Sequence, residues 1–448
     1  MSFITNIRSV AKYESKILVR SWFFRIFTLL AVVFLGFFNF AMMLMEDNFG
    51  LWFAKSVSSN IPYLNLLLLN TGQAVVAVFL SSEFLKRDKK LDTSEVFYVR
   101  PLSNAEYVVG KIWGNLRVFL FLNLLVLAIV LAFNFMASGV TVDLPAYLVY
   151  FFLISIPTLI FIIGLSIFLM LLLKNQALTF ILLLGYIGLT LFYIQDKFYY
   201  LFDYMVYNLP LFKSTIVGFS NLELILNHRA IYFFAGLGFI FFTIFLFKRL
   251  PNARRSHYPW LFLSFCMFLL MVTAGFRHVR SILREGEMRA LYTSINNKYV
   301  YEPKMAIDYY DISVEQKSET IRSVVGMEGT ALAASEVFIF CLNPGLRVEE
   351  VKDGEKSLNF KREEQILAVD FGREIEKGDT ISFSVSYEGR IKDDFCYLDI
   401  PEEVLQQPYD KEMLKLDKKY SFQTSDYVLF TPETYWYPRP GTGYSDKS

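Results

Sequence analysis

The sequence predicts an α-helical polytopic membrane protein of about seven spans, followed by a C-terminal antiparallel all-β domain. Three observations predict it. Hydrophobic residues make up 54% of the 448 positions and gather in runs of about 17–26 within roughly the first 275, the length that crosses a bilayer. Beyond about residue 300 the composition turns mixed and polar, and apolar residues recur with a period of two. Lys and Arg crowd alternate connections between the apolar runs, the bias that orients helices in membranes.

Residues 1–22 read as an amphipathic interfacial helix. Arg8, Lys12, Lys16 and Arg20 recur every four residues and form one basic stripe, with Ile7, Val10, Ala11, Ile17 and Leu18 turned away from it. The plainer alternative is a solvated basic flank. Spans are expected at Ile26–Leu44, Ile61–Leu80, Val118–Met136, Leu148–Leu173, Ala177–Ile194, Ile231–Phe247 and Trp260–Phe276. Trp22, Trp52, Trp113 and Trp260 fall near their ends, where an amphipathic ring prefers to sit. Six spans fill a membrane domain over 23–250, the seventh and a linker occupy 251–299, and the β-domain takes 300–448. The first apolar run is too long for a cleavable signal peptide.

Orientation follows from charge. Arg8 to Arg20, the Lys86–Lys111 loop, Lys174 and the Lys248–Arg255 loop are rich in Lys/Arg, while the alternate loops are poor. Positive-inside therefore puts the N-terminus in the cytoplasm of a cell (inner) membrane, and an odd number of spans puts the β-domain outside. Were the last span to lie flat in the interface, the tail would be cytoplasmic.

Two features inside the membrane region invite chemistry. The second span carries Asn65, Asn70, Thr71 and Gln73, which serve either a transport pathway or contacts between helices. Between the fifth and sixth spans, "DKFYYLFDYMVYNLPLFKSTIVGFSNLELILNHRA" is aromatic with few charges. It reads as short helices dipping into the outer half of the bilayer, where non-helical backbone needs a protein cover. An interfacial helical hairpin is the alternative.

The loop "SSEFLKRDKKLDTSEVFYVRPLSNAEYVVGKIWG" is the most structured connection. Glu83 and Arg87 are four apart in the favourable acid-first order. Pro101 disfavours helix at Arg100. Ser103 and Glu106 form a capping box that opens the next helix. The charged stretch, the "RPLS" break and the Gly110–Lys111 pair resemble the first cytoplasmic loop of ABC-2 type permeases, and the resemblance covers about residues 1–250. It implies a loop that docks on a separate ATPase, with Glu83, Arg87, Asp88, Arg100, Pro101, Glu106, Gly110 and Lys111 as contact or hinge positions. The alternative is that these charges only obey the positive-inside bias.

In the tail, "ISFSVSYEG" places Ile381, Phe383, Val385 and Tyr387 on one face and three serines on the other. "VFIFCL", "LRVEEVKDGEKSLNF" and "QILAVDF" read as further strands, with a hairpin turn at Asp353–Gly354. The order "YDISVEQ", "LNPGLRVEEVKDGEKSLNF", "ISFSVSYEGRI", "YWYPRPG" is similar to the N-terminal β-domain of M1-family aminopeptidases over about 300–445. The zinc motif that chemistry needs, His-Glu-x-x-His, does not occur, and His228, His257 and His278 are not spaced as metal ligands. They read as interfacial polar residues. Cys341 and Cys396 pair if the tail is extracytoplasmic, or stay free as core residues.

The function expected is that of a permease subunit of an ABC-2 type transporter, moving an unidentified substrate with energy from a separate ATPase. No Walker A sequence occurs, so the chain is expected not to be an enzyme itself and to hold no cofactor, with ATP and Mg on the partner. Expected partners are that ABC ATPase subunit, a second permease subunit in a homo- or heterodimer, and the lipid bilayer. A net charge of +1 gives no ground for a nucleic-acid partner. The alternatives are a membrane-tethered part of an M1-like aminopeptidase whose zinc domain lies beyond Ser448, and an anchoring or binding protein.

Overall fold

The computed structural model describes residues 3–44, 57–82, 102–136, 141–194, 197–214, 218–219, 221–247, 258–400, 420–425 and 427–443. The chain divides into two compact units, one built on Met1–Arg280 and the other on Ser281–Pro408 and Asp417–Ser448.

The first unit is helical. Among the described residues, seven helices are long and apolar enough to cross a membrane. A helix α1 (Phe3–Arg20) precedes them and is followed almost directly by α2 (Trp22–Leu44). Then come α3 (Asn60–Ser82) and α4 (Asn104–Met136). The fourth candidate span is composite: α5 (Leu144–Tyr150), a π-turn over Phe151–Ser155, and α6 (Ile156–Leu173). Next are α7 (Gln176–Leu189) with a π-turn over Thr190–Ile194, α8 (Leu222–Leu246) and α9 (Tyr258–Tyr299).

Helix starts follow their caps rather than the apolar runs. Helix α4 begins fourteen residues before Val118, at Asn104, because Ser103 and Glu106 complete the capping box. Glu106 N–H donates to Ser103 Oγ at 3.1 Å, and Ser103 N–H donates to Glu106 Oε2 at 2.6 Å. Helix α8 begins at Leu222, nine residues before the expected Ile231, with Asn221 Oδ1 accepting from Leu224 N–H at 3.3 Å. Helix α6 ends at Lys174, which is left-handed at φ 54°, and Asn175 caps α7.

Helix α9 runs on to Tyr299, well past the expected end at Phe276. Its charged second half, expected as linker, is still helical, because backbone hydrogen bonding does not depend on apolar side chains.

Small residues set the tightest crossing, between α6 and α8. A Cβ on Gly164 would meet Gly236 O at 2.6 Å, and one on Gly236 would meet Ile160 O and Phe161 N at 2.7 Å. Helices α2 and α7 keep large apolar side chains outward, among them Leu29, Phe37, Ile181 and Phe192.

The segment between the fifth and sixth spans departs from the expectation of short helices. Its described part is one tight turn at Phe198–Tyr200, further turns, and the two-residue strands β1 (Lys213–Ser214) and β2 (Gly218–Phe219). Tyr204, Met205, Val206, Leu209 and Leu211 are buried. Left-handed residues interrupt any helix here, and the backbone is covered by protein instead.

The second unit is an antiparallel β-sandwich. Strands β3 (Met305–Lys317), β4 (Thr320–Ala331), β10 (Thr380–Gly389), β6 (Leu346–Asp353) and β7 (Lys356–Ser357) form one sheet in that order. Strands β13 (Arg439–Pro440), β5 (Ser335–Cys341), β9 (Ile366–Ile375) and β8 (Asn359–Glu363) form the other. A small hairpin of β11 (Ser421–Gln423) and β12 (Val428–Phe430) pairs with neither sheet, and its Val428 and Phe430 pack against the core.

The predicted alternation holds on β10: Ile381, Phe383, Val385 and Tyr387 enter the core, packed with Phe338, Phe340, Val351 and Phe371. The Asp353–Gly354 turn also falls where expected, with Asp353 paired to Lys356 across it. The last turns of α9 belong to this unit. Tyr292 packs with Cys341, Phe395 and Tyr435, and Ile295 with Ile339 and Ile366.

Candidate functional site

Three polar centres lie inside the helical unit. The first joins α1 to the start of α4. Arg8, Lys12, Lys16 and Arg20 are all exposed, and α1 turns Ala11, Glu14 and Leu18 inward. Gly110 and Gly114 let the helices touch: a Cβ at either would stand 2.7 Å from Val10 Cβ or Glu14 Cβ. Within that contact Lys111 Nζ meets Glu14 Oε1 at 3.0 Å, with only 1% and 4% of the two side chains exposed.

Lys111 also lies over the Tyr107 ring at 5.0 Å, and Tyr107 stacks on Phe247. Around this pair, Asn6 Nδ2 donates to Glu106 Oε1 at 2.8 Å and Arg117 Nη2 to Ala11 O at 2.7 Å. Glu106, Gly110 and Lys111 thus sit beneath α1 rather than on a free surface. Glu83, Arg87, Asp88, Arg100 and Pro101 lie outside the described residues, as does His257.

The second centre joins α3, α4 and the π-turn at Phe151–Ser155. Asn70, Gln73, Asn123 and Ser155 have no exposed surface. Gln73 Nε2 donates to Asn70 Oδ1 at 2.6 Å, and Asn123 Nδ2 to Gln73 Oε1 at 2.9 Å. Ser155 Oγ donates to Asn123 Oδ1 at 2.8 Å, and Asn70 Nδ2 to Ser155 Oγ at 3.1 Å. Every amide in this ring has a partner, so the ring can hold three elements in register. Asn65 makes a similar exchange with Asn39 on α2, at 2.7 and 3.1 Å. Thr71 instead hydrogen-bonds with the Tyr207 hydroxyl at 2.6 Å. All four polar residues of the second span therefore make contacts between elements. Asn39, Asn123 and Ser155 were not legible as their partners, because nothing local links positions 26 to 85 residues apart.

The third centre surrounds the irregular segment. Phe198, Tyr199 and Tyr200 all have φ between 53° and 62°, and Val206 has φ 69°. Left-handed backbone costs an L-residue about 1–2 kcal/mol each. Side chains bond to the carbonyls of this turn. His278 Nε2 meets Tyr199 O at 2.8 Å, and His228 Nε2 meets Tyr200 O at 3.0 Å. The Tyr232 hydroxyl donates to Leu201 O. Arg229 Nη1 donates to Tyr204 O at 3.0 Å. The two imidazoles, fifty residues apart in sequence, stand with ring centroids 5.2 Å apart and no exposed surface. Both are buried and bond to the backbone of the irregular segment.

In the second unit Cys341 and Cys396 are free and buried. Among the described residues, no group of three or more His, Cys, Asp or Glu side chains is placed to share a metal ion.

No family model matches the chain, and no curated protein does. Solved structures similar to it are M1 zinc metallopeptidases. One from Deinococcus radiodurans is 16% identical over 20% of this chain and 21% of that chain, with a TM-score of 0.19. A mutant two-domain M1 zinc metallopeptidase bound to L-arginine is 17% identical over the same shares, with the same TM-score. This chain thus spans about a fifth of the length of the solved chains it matches. A likeness of that size fixes neither fold nor activity.

Proposed function

We propose that this chain is the permease subunit of an ABC-2 type transporter, working as a dimer with a separate ATPase to move a substrate across the membrane. In this reading the N-terminus and the loop over 83–101 face the cytoplasm, the second unit lies outside, and ATP with Mg is held by the partner. The observation that supports it best is the base of α4. A reciprocal capping box, a glycine-spaced crossing and a buried Glu14–Lys111 pair make the start of this helix rigid where the charged loop joins it. A push on that loop is then delivered to α4 and, through Asn123, to the ring that holds α3.

Affinity purification from membranes tests the reading. An ATP-hydrolysing chain should co-purify, and Arg100→Ala with Glu83→Ala should lower its recovery at least tenfold. Recovery of this protein with no ATPase would sink it.

A second reading, a membrane-anchored binding module, is favoured by the outer face of the five-stranded sheet, which carries Thr380, Ser382, Ser384, Ser386, Arg322 and Glu349 outside the core. Removing residues after 300 while retaining ATPase recovery and transport would count against it.

A further inference from the structure

Pro157 lies two residues into α6 and has no N–H to give the carbonyl of Leu153, four residues earlier. Arg229 on α8 supplies that donor, with Nε to Leu153 O at 2.7 Å. The same guanidinium donates through Nη2 to Ile154 O at 3.4 Å and to Thr158 Oγ1 at 2.9 Å. Through Nη1 it reaches Tyr204 O in the irregular segment, which also accepts from Thr158 Oγ1 at 3.2 Å. Arg229 is 3% exposed, and the carboxylate whose charge acts on it is the buried Asp203, beside Tyr204 in the irregular segment. A buried cation is costly unless its hydrogen bonds are met, and an ionisable side chain inside an apolar helical unit marks a functional element. Its planar fork is what lets one side chain bridge the first turn of α6 and a loop; an ammonium offers a single nitrogen.

We propose that Arg229 is the positioning residue of a lid formed by Phe198–Leu211, tying that lid to the π-turn and Pro157 so that a shift of α5–α6 against α8 opens it. This rests on the transporter reading, in which that helix must move for substrate to leave. His228, His278 and Tyr232 pin the neighbouring carbonyls, so side chains from α8 and α9 add to the local turn hydrogen bonds that hold the lid. Release of the Arg229 contacts frees its buried middle, Tyr204–Val206, which includes the left-handed Val206.

The test uses the full chain in whole cells carrying Met205→Cys, a position 1% exposed, with a membrane-impermeant maleimide and labelling read by peptide mass spectrometry. Val126→Cys on α4, also 1% exposed, reports general loosening of the unit. Arg229→Gln and Arg229→Lys should each raise labelling at position 205 at least tenfold while position 126 stays unlabelled. Thr158→Val, which keeps shape and removes one strut, should raise it two- to fivefold. Unchanged labelling at 205 in Arg229→Gln overturns the proposal. Low labelling restored in Arg229→Lys also overturns it, since charge alone would then suffice. Should Arg229→Gln fail to accumulate, or label 205 and 126 alike, Thr158→Val decides, and no rise there overturns the proposal. Addition of ATP and orthovanadate to membranes holding the co-purifying ATPase should change wild-type labelling and leave the Arg229→Gln level constant. A chain without any such ATPase refutes the transporter reading but leaves the 205 labelling result intact, so the two failures are told apart.

Discussion

Replacing Lys111 by Met removes the ion-pair partner of the buried Glu14 carboxylate beneath α1. At 3.0 Å the pair attracts by about 5–6 kcal/mol at an effective dielectric of about 20. Desolvating two ions offsets most of this, so the intact pair contributes little net stability. Removing one partner is different: the remaining charge loses its neighbour and stays buried, at a cost of about 3–5 kcal/mol. The cost falls on the docking of α1, because Gly110, Gly114 and the Lys111–Glu14 pair are what α1 rests on. A loss of about 3 kcal/mol raises the undocked population of α1 by roughly two orders of magnitude. Hydrogen exchange of the α1 amides in full-length protein, read by mass spectrometry, should rise by that factor in Lys111→Met and in Glu14→Gln to a smaller degree. The double variant Glu14→Leu/Lys111→Met should return near the wild-type rate, since two apolar groups fill the site without an unpaired charge. A double variant as loose as Lys111→Met, or single variants that leave α1 exchange unchanged, would refute the reasoning.

Further outcomes follow from other sites. Gly236→Ala drives a Cβ to within 2.7 Å of Ile160 and Phe161 backbone and should cost about 1–3 kcal/mol, whereas Gly185→Ala, with open space around it, should be neutral or stabilising by about 0.5–1 kcal/mol; thermal unfolding in detergent separates them. Asn123→Leu leaves Gln73, Asn70 and Ser155 short of partners and should cost about 1–3 kcal/mol by the same measurement. The Glu363 carboxylate is held below its ordinary value of 4.5, first by its hydrogen bond with Lys298 and then by that with Tyr299. Its contribution is therefore complete above that value and fades as pH falls through the lowered one, so Lys298→Met should flatten the acid loss of stability of the second unit below about pH 4.5. Burial pushes the Cys341 thiol up to about 12, so it should stay unreactive toward thiol reagents at pH 8 until the unit unfolds. Rapid modification in the folded chain would contradict the packing around Tyr292 and Tyr435.

Local signals were legible wherever a residue's partner lies within a few positions. The Ser103–Glu106 capping box, the Asp353–Gly354 turn and the inward face of β10 could be read because each rests on spacings of two or three residues. Helix lengths were less legible, since apolarity marks where lipid could lie and not where a helix starts; Asn221 and Ser103 decide that. Lys111 is the instructive residue of the candidate loop. In the sequence it is one more positive charge after a Gly. Its buried pairing depends on Glu14, ninety-seven positions earlier, turning inward from a helix whose other charges face out.

By itself the sequence determined seven apolar stretches, a basic stripe, a charged loop and an alternating tail, because hydropathy, helical spacing and strand spacing are properties of neighbours along the chain. Only the tertiary structure decided what the polar groups inside the helical unit do. Asn70 meets Asn123, His228 meets the carbonyl of Tyr200, and Arg229 reaches the carbonyls of Leu153 and Tyr204. Burial makes an unpaired polar group too costly to leave, so packing brings distant residues together to satisfy one another, and that pairing has no trace in local spacing.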